Sequence, residues 1–440
     1  MPDEDEGQVA GAEMQSRQSR GGHVLVAPDK FKGTLTATQA AAHIAAGLRS
    51  VRGDLDIAQV PVADGGEGTV AAAVAAGYQP VRLGVRGPTG QPAGAEFGWR
   101  DGTAIIEAAQ ACGLARLPGG RLRPLAATSF GVGELIAAAA ARGARRVVLG
   151  LGGVASTDGG AGMVQALGAR LLDQAGRELP PGGAALTALR RLDLAGLHPL
   201  AGIEVLAATD VDNPLLGRRG AAAVYGPQKG ASPADVAILE AGLARWADCA
   251  ERALAGHVPR TAGQPGPRPS PRVSRPRDEP GAGAAGGLGF AALAFLGART
   301  RPGIEVMLDL IGFAGRLPGA RLVITGEGSL DAQTLRGKAP AGVARAAAAA
   351  RAAAASGAAQ GPCGAVVLPV VAVAGRCTLS VARLHEAGIE AVYTLADVEP
   401  DPARRLASAG PLLEEAARRL AADWLPAGVQ GETPGACREL

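Results

Sequence analysis

Short apolar runs alternate with amphipathic stretches along most of this chain, predicting strands and helices in turn. HVLVAP (23–28) is the first apolar, β-rich run and reads as a buried strand. The capping box Thr36-Ala-Thr-Gln39 opens a helix that reaches about Arg49. A second strand, DIAQVPV (56–62), leads through Asp64-Gly65-Gly66-Glu67-Gly68 into a helix ending at Gly77. Strand, glycine-acid loop, helix is the α/β pattern, in which loops at strand carboxyl ends carry the chemistry.

From about residue 81 the texture changes. VRLGV, AEFGW and TAIIEAA, set around an Asp101-Gly102 turn, predict antiparallel strands. Thr128 or Ser129 is expected to cap a helix over 131–142. Strand RRVVLGL (145–151) precedes the loop 152–160, strand IEVLAAT (203–209) precedes Asp210-Val-Asp212-Asn213, and a long helix covers 233–255. Residues 256–280 are Pro- and Arg-rich without periodicity and read as a disordered loop. Alternation then resumes, with helices near 284–297, 339–354, 379–387 and 402–421 and strands at 321–325, 369–374 and 391–396. The expected fold is α/β with two dissimilar α/β domains. One is a discontinuous Rossmann-like parallel-sheet domain (22–80 and 287–425) and the other a mixed α/β domain inserted at 81–286, with tails at 1–21 and 426–440.

Composition narrows the function. Of 440 residues 47% are hydrophobic and 3% aromatic, so the core must be built from Ala, Val, Leu and Gly, and base-stacking platforms are not expected. A net charge of +3 from 44 basic and 41 acidic residues is too balanced for a nucleic-acid partner. No run of 18 apolar residues implies a membrane span, and the polar, acidic first residues lack a signal peptide's apolar segment. Five cysteines without C-x-x-C spacing support neither a disulfide framework nor a structural zinc, so a cytoplasmic setting is expected. Only four basic residues are lysines (Lys30, Lys32, Lys229 and Lys338), each in a glycine-bounded motif. In a chain that uses Arg wherever a positive charge is enough, these mark places needing a compact ammonium.

Five segments pair acid with glycine or lysine: Asp29-Lys30, Asp64-Gly-Gly-Glu67-Gly, Asp158-Gly-Gly, Asp210-Val-Asp212-Asn213 and Gly326-Glu327-Gly-Ser-Leu-Asp331. Lysines, glycine loops and carboxylates together suit phosphoryl transfer, which needs cations and N–H groups on phosphates and carboxylates for metal and acceptor hydroxyl. No G-x-S-x-G elbow or Walker A sequence is present, and His23 and His43 read as structural. Gly281–Gly286 matches G-x-G-x-x-G, but a linker stands where a dinucleotide fold needs a strand, so it reads as a helix start packed close to an anion.

Together the motifs resemble the bacterial type I glycerate kinase family. The likeness runs in order through VLVAPDKFKGTL, VADGGEGT, ATSFGVGELI, LGLGGVASTDGGAGMVQALGA, ATDVDNPLLG, AVYGPQKGA, PGAGAAGGLG, LVITGEGSLDAQTLRGKAPAGVA and VVAVAG, covering about 23–397. The family's GGSATNDGG loop reads GGVASTDGG here, so Val154 and Thr157 replace a Ser and an Asn. The resemblance implies ATP-dependent phosphorylation of D-glycerate to 2-phosphoglycerate, with the site in a cleft between two domains. Transfer to the 3-hydroxyl and a non-catalytic hydroxy-acid sensor on the same fold are the alternatives, and a monomer and a homodimer both remain open.

Chemistry then assigns roles. Asp158 or Asp210 is the expected base, with Lys30 and Lys229 as the other catalytic candidates. Lys32, Asp64, Gly65, Gly66, Glu67, Asp212 and Asn213 are expected to bind substrate. Gly326, Glu327, Lys338 and Gly286 are expected at the nucleotide, with Glu327 and Asp331 on Mg²⁺.

Overall fold

The structure, a computed structural model, describes residues 22–198, 200–256, 275–357 and 368–426. The strands are β1 (His23–Pro28), β2 (Ile57–Gln59), β3 (Gln79–Arg86), β4 (Pro92–Arg100), β5 (Thr103–Glu107), β6 (Arg146–Gly150), β7 (Arg170–Leu172), β8 (Arg191–Asp193), β9 (Glu204–Ala208), β10 (Arg299–Arg301), β11 (Ala320–Leu330), β12 (Val370–Cys377) and β13 (Ala391–Thr394). The fold is α/β, and the chain divides into two compact units. The first takes residues up to Val60, Ala314–Asp331 and those from Ala344 on, and the second takes Pro61–Phe313 and Ala332–Val343.

The first unit holds an all-parallel sheet ordered β13-β12-β11-β1-β2. Val24–Ala27 are wholly buried, as an unbroken apolar strand in a covered parallel sheet should be. Helices Ala37–Val51 and Ala409–Trp424 pack one face through Ile44, Leu48, Leu413 and Leu420. They cross at Gly47, where a Cβ would lie 2.3 Å from the Glu414 carbonyl oxygen. The expected capping box forms, with the Thr36 hydroxyl accepting from Gln39 N and the Gln39 side chain accepting from Thr36 N. His43, on the first of these helices, pairs through Nδ1 with Glu414 at 2.7 Å on the second, which is a structural contact.

The second unit holds a mixed sheet ordered β10-β9-β6-β5-β4-β3. Its first four strands run parallel, and β4 and β3 complete an antiparallel meander. One face carries the larger core, including Phe97, Ile106, Leu135 and Leu149. The other is covered through Ala73 of helix Thr69–Ala75 and Val306 of helix Gly303–Leu310, against Ile105, Val148 and Leu206.

Several boundaries differ from those expected. Residues 61–80 and 287–313 belong to the mixed unit rather than the parallel one. The cause is pairing and packing, since β10 joins β9 and both Ala73 and Val306 pack on this sheet. β11 runs five residues past the expected end at 325, because Glu327, Ser329 and Leu330 continue its ladder with β12. The Gly326–Leu330 segment is therefore strand, not loop. Of the two expected caps, Ser129 precedes helix Phe130–Ala141 with its hydroxyl drawn to Asp158 and Met163 N, while the Thr128 hydroxyl accepts from Phe130 N at 3.2 Å. The last helix is broken at Ser408 into Pro402–Ala407 and Ala409–Trp424.

The expected linker falls mostly outside the described residues, but its end from Arg275 is ordered by Arg277, which pairs with Asp248 at 2.8 Å and Glu251 at 2.7 Å. The expected tails also lie outside the described residues, Pro426 apart. No helix among the described residues is long and apolar enough to cross a membrane.

Candidate active site

In the first unit the strand order reverses direction between β1 and β11, where open α/β sheets place ligands beyond the strand carboxyl ends. β1 delivers Asp29 and Lys30 there. The ladder continues beyond Pro28↔Gly326, with Asp29 N donating to Gly326 O at 2.8 Å, so Asp29 takes the position beside Glu327. Both carboxylates are buried, at 3% and 7% exposure. Asp29 Oδ1 accepts from Lys30 N at 2.7 Å and stands 3.5 Å from Lys30 Nζ. Lys32 is exposed on a tight turn closed by mutual backbone bonds between Phe31 and Leu35, with Gly33 at φ +83°. Asp29, Lys30, Lys32 and Glu327 are thus brought to one end of one sheet.

A strand rises roughly 3.3 Å per residue, which sets the Cα atoms of Glu327 and Leu330 about 10 Å apart along β11, with Asp331 just past its end. Asp331 accepts from Ser329 at 3.4 Å. Gly326 is fixed by packing, since a Cβ there would stand 2.1 Å from Val373 O.

In the second unit the Asp64–Gly68 loop lies directly on the carboxyl ends of the parallel strands. A Cβ on Gly152 would meet Gly66 Cα at 2.4 Å, and one on Gly303 would meet Asp64 O at 1.9 Å. Gly65 in turn approaches Ala208 O, where its own Cβ would stand at 3.0 Å. Only glycine lets these backbones come so near. Gly303 N donates to Asp210 Oδ1 at 2.9 Å, so Asp64 and Asp210 bracket the same residue. Gly337, at φ +119°, would point a Cβ to 3.8 Å from Asp210 Oδ1, which brings the Lys338 backbone alongside. Asp64 and Lys338 are half-buried, while Glu67 and Asp210 are exposed.

Asp158 and Lys229 occupy a different place, inside the unit. Asp158 is 1% exposed and accepts from Ser129 N (2.8 Å), Ser129 Oγ (2.9 Å), Gly160 N and Gly162 N (both 3.2 Å), and Thr128 Oγ1 (3.4 Å). Both its oxygens are committed to protein donors, so it holds the loop together. Lys229 is 3% exposed and donates to Ser156 O at 2.6 Å and Thr157 Oγ1 at 3.4 Å. Burial pulls its pKa down to about 8, against the opposing pull of Cys112 and Asp158. Thr157, which stands where the family loop often has Asn, is therefore a partner of this ammonium.

Two more expected contacts have internal duties. Asn213 Nδ2 donates to Arg219 O at 2.7 Å and its Oδ1 accepts from Tyr225 at 2.6 Å, while Asp212 pairs with Arg219 at 3.2 Å on the surface. Both tie the loop before helix Ala221–Tyr225. Gly286, expected at the nucleotide, sits in a left-handed turn packed against Ser156 O and Lys229 Nζ, and its carbonyl accepts from Gly159 N. One residue escaped the sequence reading altogether. Glu107 ends β5 and is 2% exposed, and its Oε2 accepts from Gly68 N at 3.1 Å and Val70 N at 3.2 Å. A charge closing the apolar run TAII, at a strand end, was the available signal.

A sequence profile of the glycerate kinase family matches residues 24–425. The chain belongs to the glycerate kinase family. It is 42% identical to a glycerate kinase of Bacillus subtilis (strain 168) over 84% of this chain and 90% of that protein. It is 41% identical to a glycerate 2-kinase of Escherichia coli (strain K12), again over 84% and 90%. A crystal structure of a putative glycerate kinase 2 from Salmonella typhimurium LT2 superposes with a TM-score of 0.72 at 38% identity, covering 92% of this chain and 98% of that one. As a member of this family the chain is an enzyme, a phosphotransferase, and it shares the two-domain α/β architecture.

Mg²⁺ in a kinase is held by one or two carboxylates, with phosphates and water completing the shell. Among the described residues no three His, Cys, Asp or Glu side chains converge as a metal cage. Asp29 and Glu327, neighbours in register at the β1/β11 carboxyl ends, supply two hard oxygen donors and fit that mode of binding.

Proposed function

We propose that this enzyme transfers the γ-phosphoryl group of ATP to the 2-hydroxyl of D-glycerate, giving 2-phosphoglycerate and ADP. The observation that carries the reading is the convergence of Asp64, Asp210 and the Gly337–Lys338 segment at one sheet end, with the Asp210 carboxylate held by backbone yet open to solvent. Such a carboxylate can accept a hydroxyl proton, which the buried Asp158 cannot.

Asp210 is then the base. The substrate hydroxyl oxygen attacks the γ-phosphorus, its proton passes to the Asp210 carboxylate, and the bond to the β,γ-bridging oxygen breaks as ADP leaves. Asp64 and Glu67 orient the glycerate hydroxyls, and Lys338 neutralises charge that develops in transfer. Lys30 and Lys32 would take phosphate oxygens, and Asp29 with Glu327 would hold Mg²⁺. When bound, that ion neutralises phosphate charge and fixes the leaving group. Lys229 and Asp158 keep the 152–160 loop in shape. The free thiols of Cys112, Cys249 and Cys377 fit a reducing cytoplasm, where we place the reaction.

The test is ATP turnover with D-glycerate and Mg²⁺, with enolase added to consume the product. Direct consumption by enolase supports transfer to the 2-hydroxyl. ADP release without an enolase substrate places the phosphate on the 3-hydroxyl, and no ADP release with glycerate overturns the reading.

A further inference from the structure

Helix Thr69–Ala75 starts at Gly68, which lies in the left-handed region at φ +95° and has no side chain to cap the helix. The first N–H groups of any helix need acceptors from outside it. Here they find one from across the sheet. Glu107, the last residue of β5, reaches over with a single oxygen that accepts from both Gly68 N (3.1 Å) and Val70 N (3.2 Å). The register Glu107↔Gly150 fixes the height of the carboxylate at the end of the parallel strands, level with the glycines on which the Asp64 loop rests. The loop's own bonds are short-range, from Gly66 N to Asp64 Oδ1 (3.2 Å) and from the Thr69 hydroxyl to Gly66 O (2.6 Å). The Glu107 bonds tie the loop to the sheet by side chain.

We infer that Glu107 is a positioning residue for glycerate: it anchors the Asp64–Gly68 loop to the β5 carboxyl end through the Gly68 and Val70 amides. An internal carboxylate on Gly68 N and Val70 N uses the positive end of this short helix, as a bound phosphate would. The loop it serves is thereby committed to the substrate's hydroxyls, through Asp64 and Glu67, rather than to the phosphates of ATP. This inference rests on the glycerate kinase reading above and extends it to a residue that touches neither substrate.

The experiment compares the full-length enzyme with Glu107→Ala, Glu107→Asp and Glu107→Gln. Steady-state KM is measured separately for glycerate and ATP, alongside amide hydrogen exchange of residues 66–72. Glu107→Ala is expected to raise KM for glycerate about tenfold, leave KM for ATP within twofold, and speed exchange at Gly68 and Val70 relative to helix Phe130–Ala141. Glu107→Asp keeps the charge but withdraws the oxygen and should act like Ala. Glu107→Gln keeps an acceptor in place and should restore most of the glycerate affinity. Should the Ala variant fail to fold, the Asp and Gln pair decides by the same readouts. Equal rises in both KM values, or exchange at Gly68 and Val70 unchanged in Glu107→Asp, would overturn the inference. A wild-type enzyme inactive on glycerate would overturn the functional reading instead, while the exchange data would still judge the anchor.

Discussion

Asp210 and Gly303 are joined by a 2.9 Å hydrogen bond from the Gly303 amide to Asp210 Oδ1, and Gly303 is also the residue on which the Asp64 carbonyl rests. That carboxylate stands exposed at the N-terminus of helix Gly303–Leu310, where the amide donates to one of its oxygens. Asp158, by contrast, is buried with donors on both oxygens. The two acids offered by the sequence as alternative bases therefore have separable consequences. Asp210→Asn should lower kcat by roughly 10²- to 10⁴-fold, the usual worth of a general base, with the melting temperature nearly unchanged. Asp158→Asn sets an amide donor against an amide donor in a sealed site and should cost about 1–3 kcal/mol of stability, read by urea unfolding. Full activity in Asp210→Asn would remove it from the base role.

The buried ammonium of Lys229 gives a pH signature. Its pKa falls from 10.5 in the unfolded chain to about 8 in the folded one, chiefly through desolvation. Between these values the unfolded state binds the extra proton, so stability attributable to this group rises with pH across the window and is least below about pH 8. The Cys112 thiol, pushed up to about 12 by burial, acts in the opposite sense above about pH 9. Comparing wild type with Lys229→Met separates the two. The variant should lose the lysine's rise between pH 8 and pH 10.5, a difference of up to about 3 kcal/mol, with urea unfolding at both ends as the check. Parallel stability curves for the two proteins would show that Lys229 stays charged throughout.

Much of this was legible in the sequence, and the parts that were not have common causes. Apolar runs such as Val24–Ala27 and the Thr36–Gln39 box announce their elements because local pattern and tertiary burial agree there. Asp64, Asp210 and Lys30 were visible as charges just past strand ends. The division into units was misplaced because it depends on which sheet a segment joins. Nothing local in Arg299–Arg301 says that it will pair with β9. Asp158 and Asn213 look like site residues in one dimension, and only their partners, Ser129 across 29 positions and Tyr225 across 12, reveal an internal duty. Gly326-Glu-Gly reads as a loop in sequence, and only the neighbouring backbone of β12, which crowds Gly326 at Val373 O, shows it to be strand.

The glycine seam beneath the Asp64 loop makes its own prediction. Gly152→Ala places a methyl where Gly66 Cα stands 2.4 Å away, and backbone on both sides leaves little room to yield. The loop must lift, so KM for glycerate should rise tenfold or more, with a stability loss of about 1–3 kcal/mol from overpacking. Gly84→Ala on β3 is the control, since nothing lies within 4 Å of its Cβ position, and it should leave both quantities unchanged. A Gly152→Ala enzyme with normal glycerate KM would mean that the loop is not part of the substrate site.

Metal dependence distinguishes Glu327 from Asp331. Glu327 stands beside Asp29 at the switch point, while Asp331 lies past the strand end with Ser329 as its partner. Neutralising a carboxylate that meets the ion weakens the metal complex, whereas neutralising one some 10 Å along the strand leaves it intact. Glu327→Gln should therefore raise the Mg²⁺ concentration needed for half-maximal rate at least tenfold, and Asp331→Asn should shift it less than twofold. The titration is run at fixed ATP above its KM, so that free Mg²⁺ and not nucleotide is the variable. A large shift in Asp331→Asn with none in Glu327→Gln would move the metal to the far end of β11 and reverse the assignment.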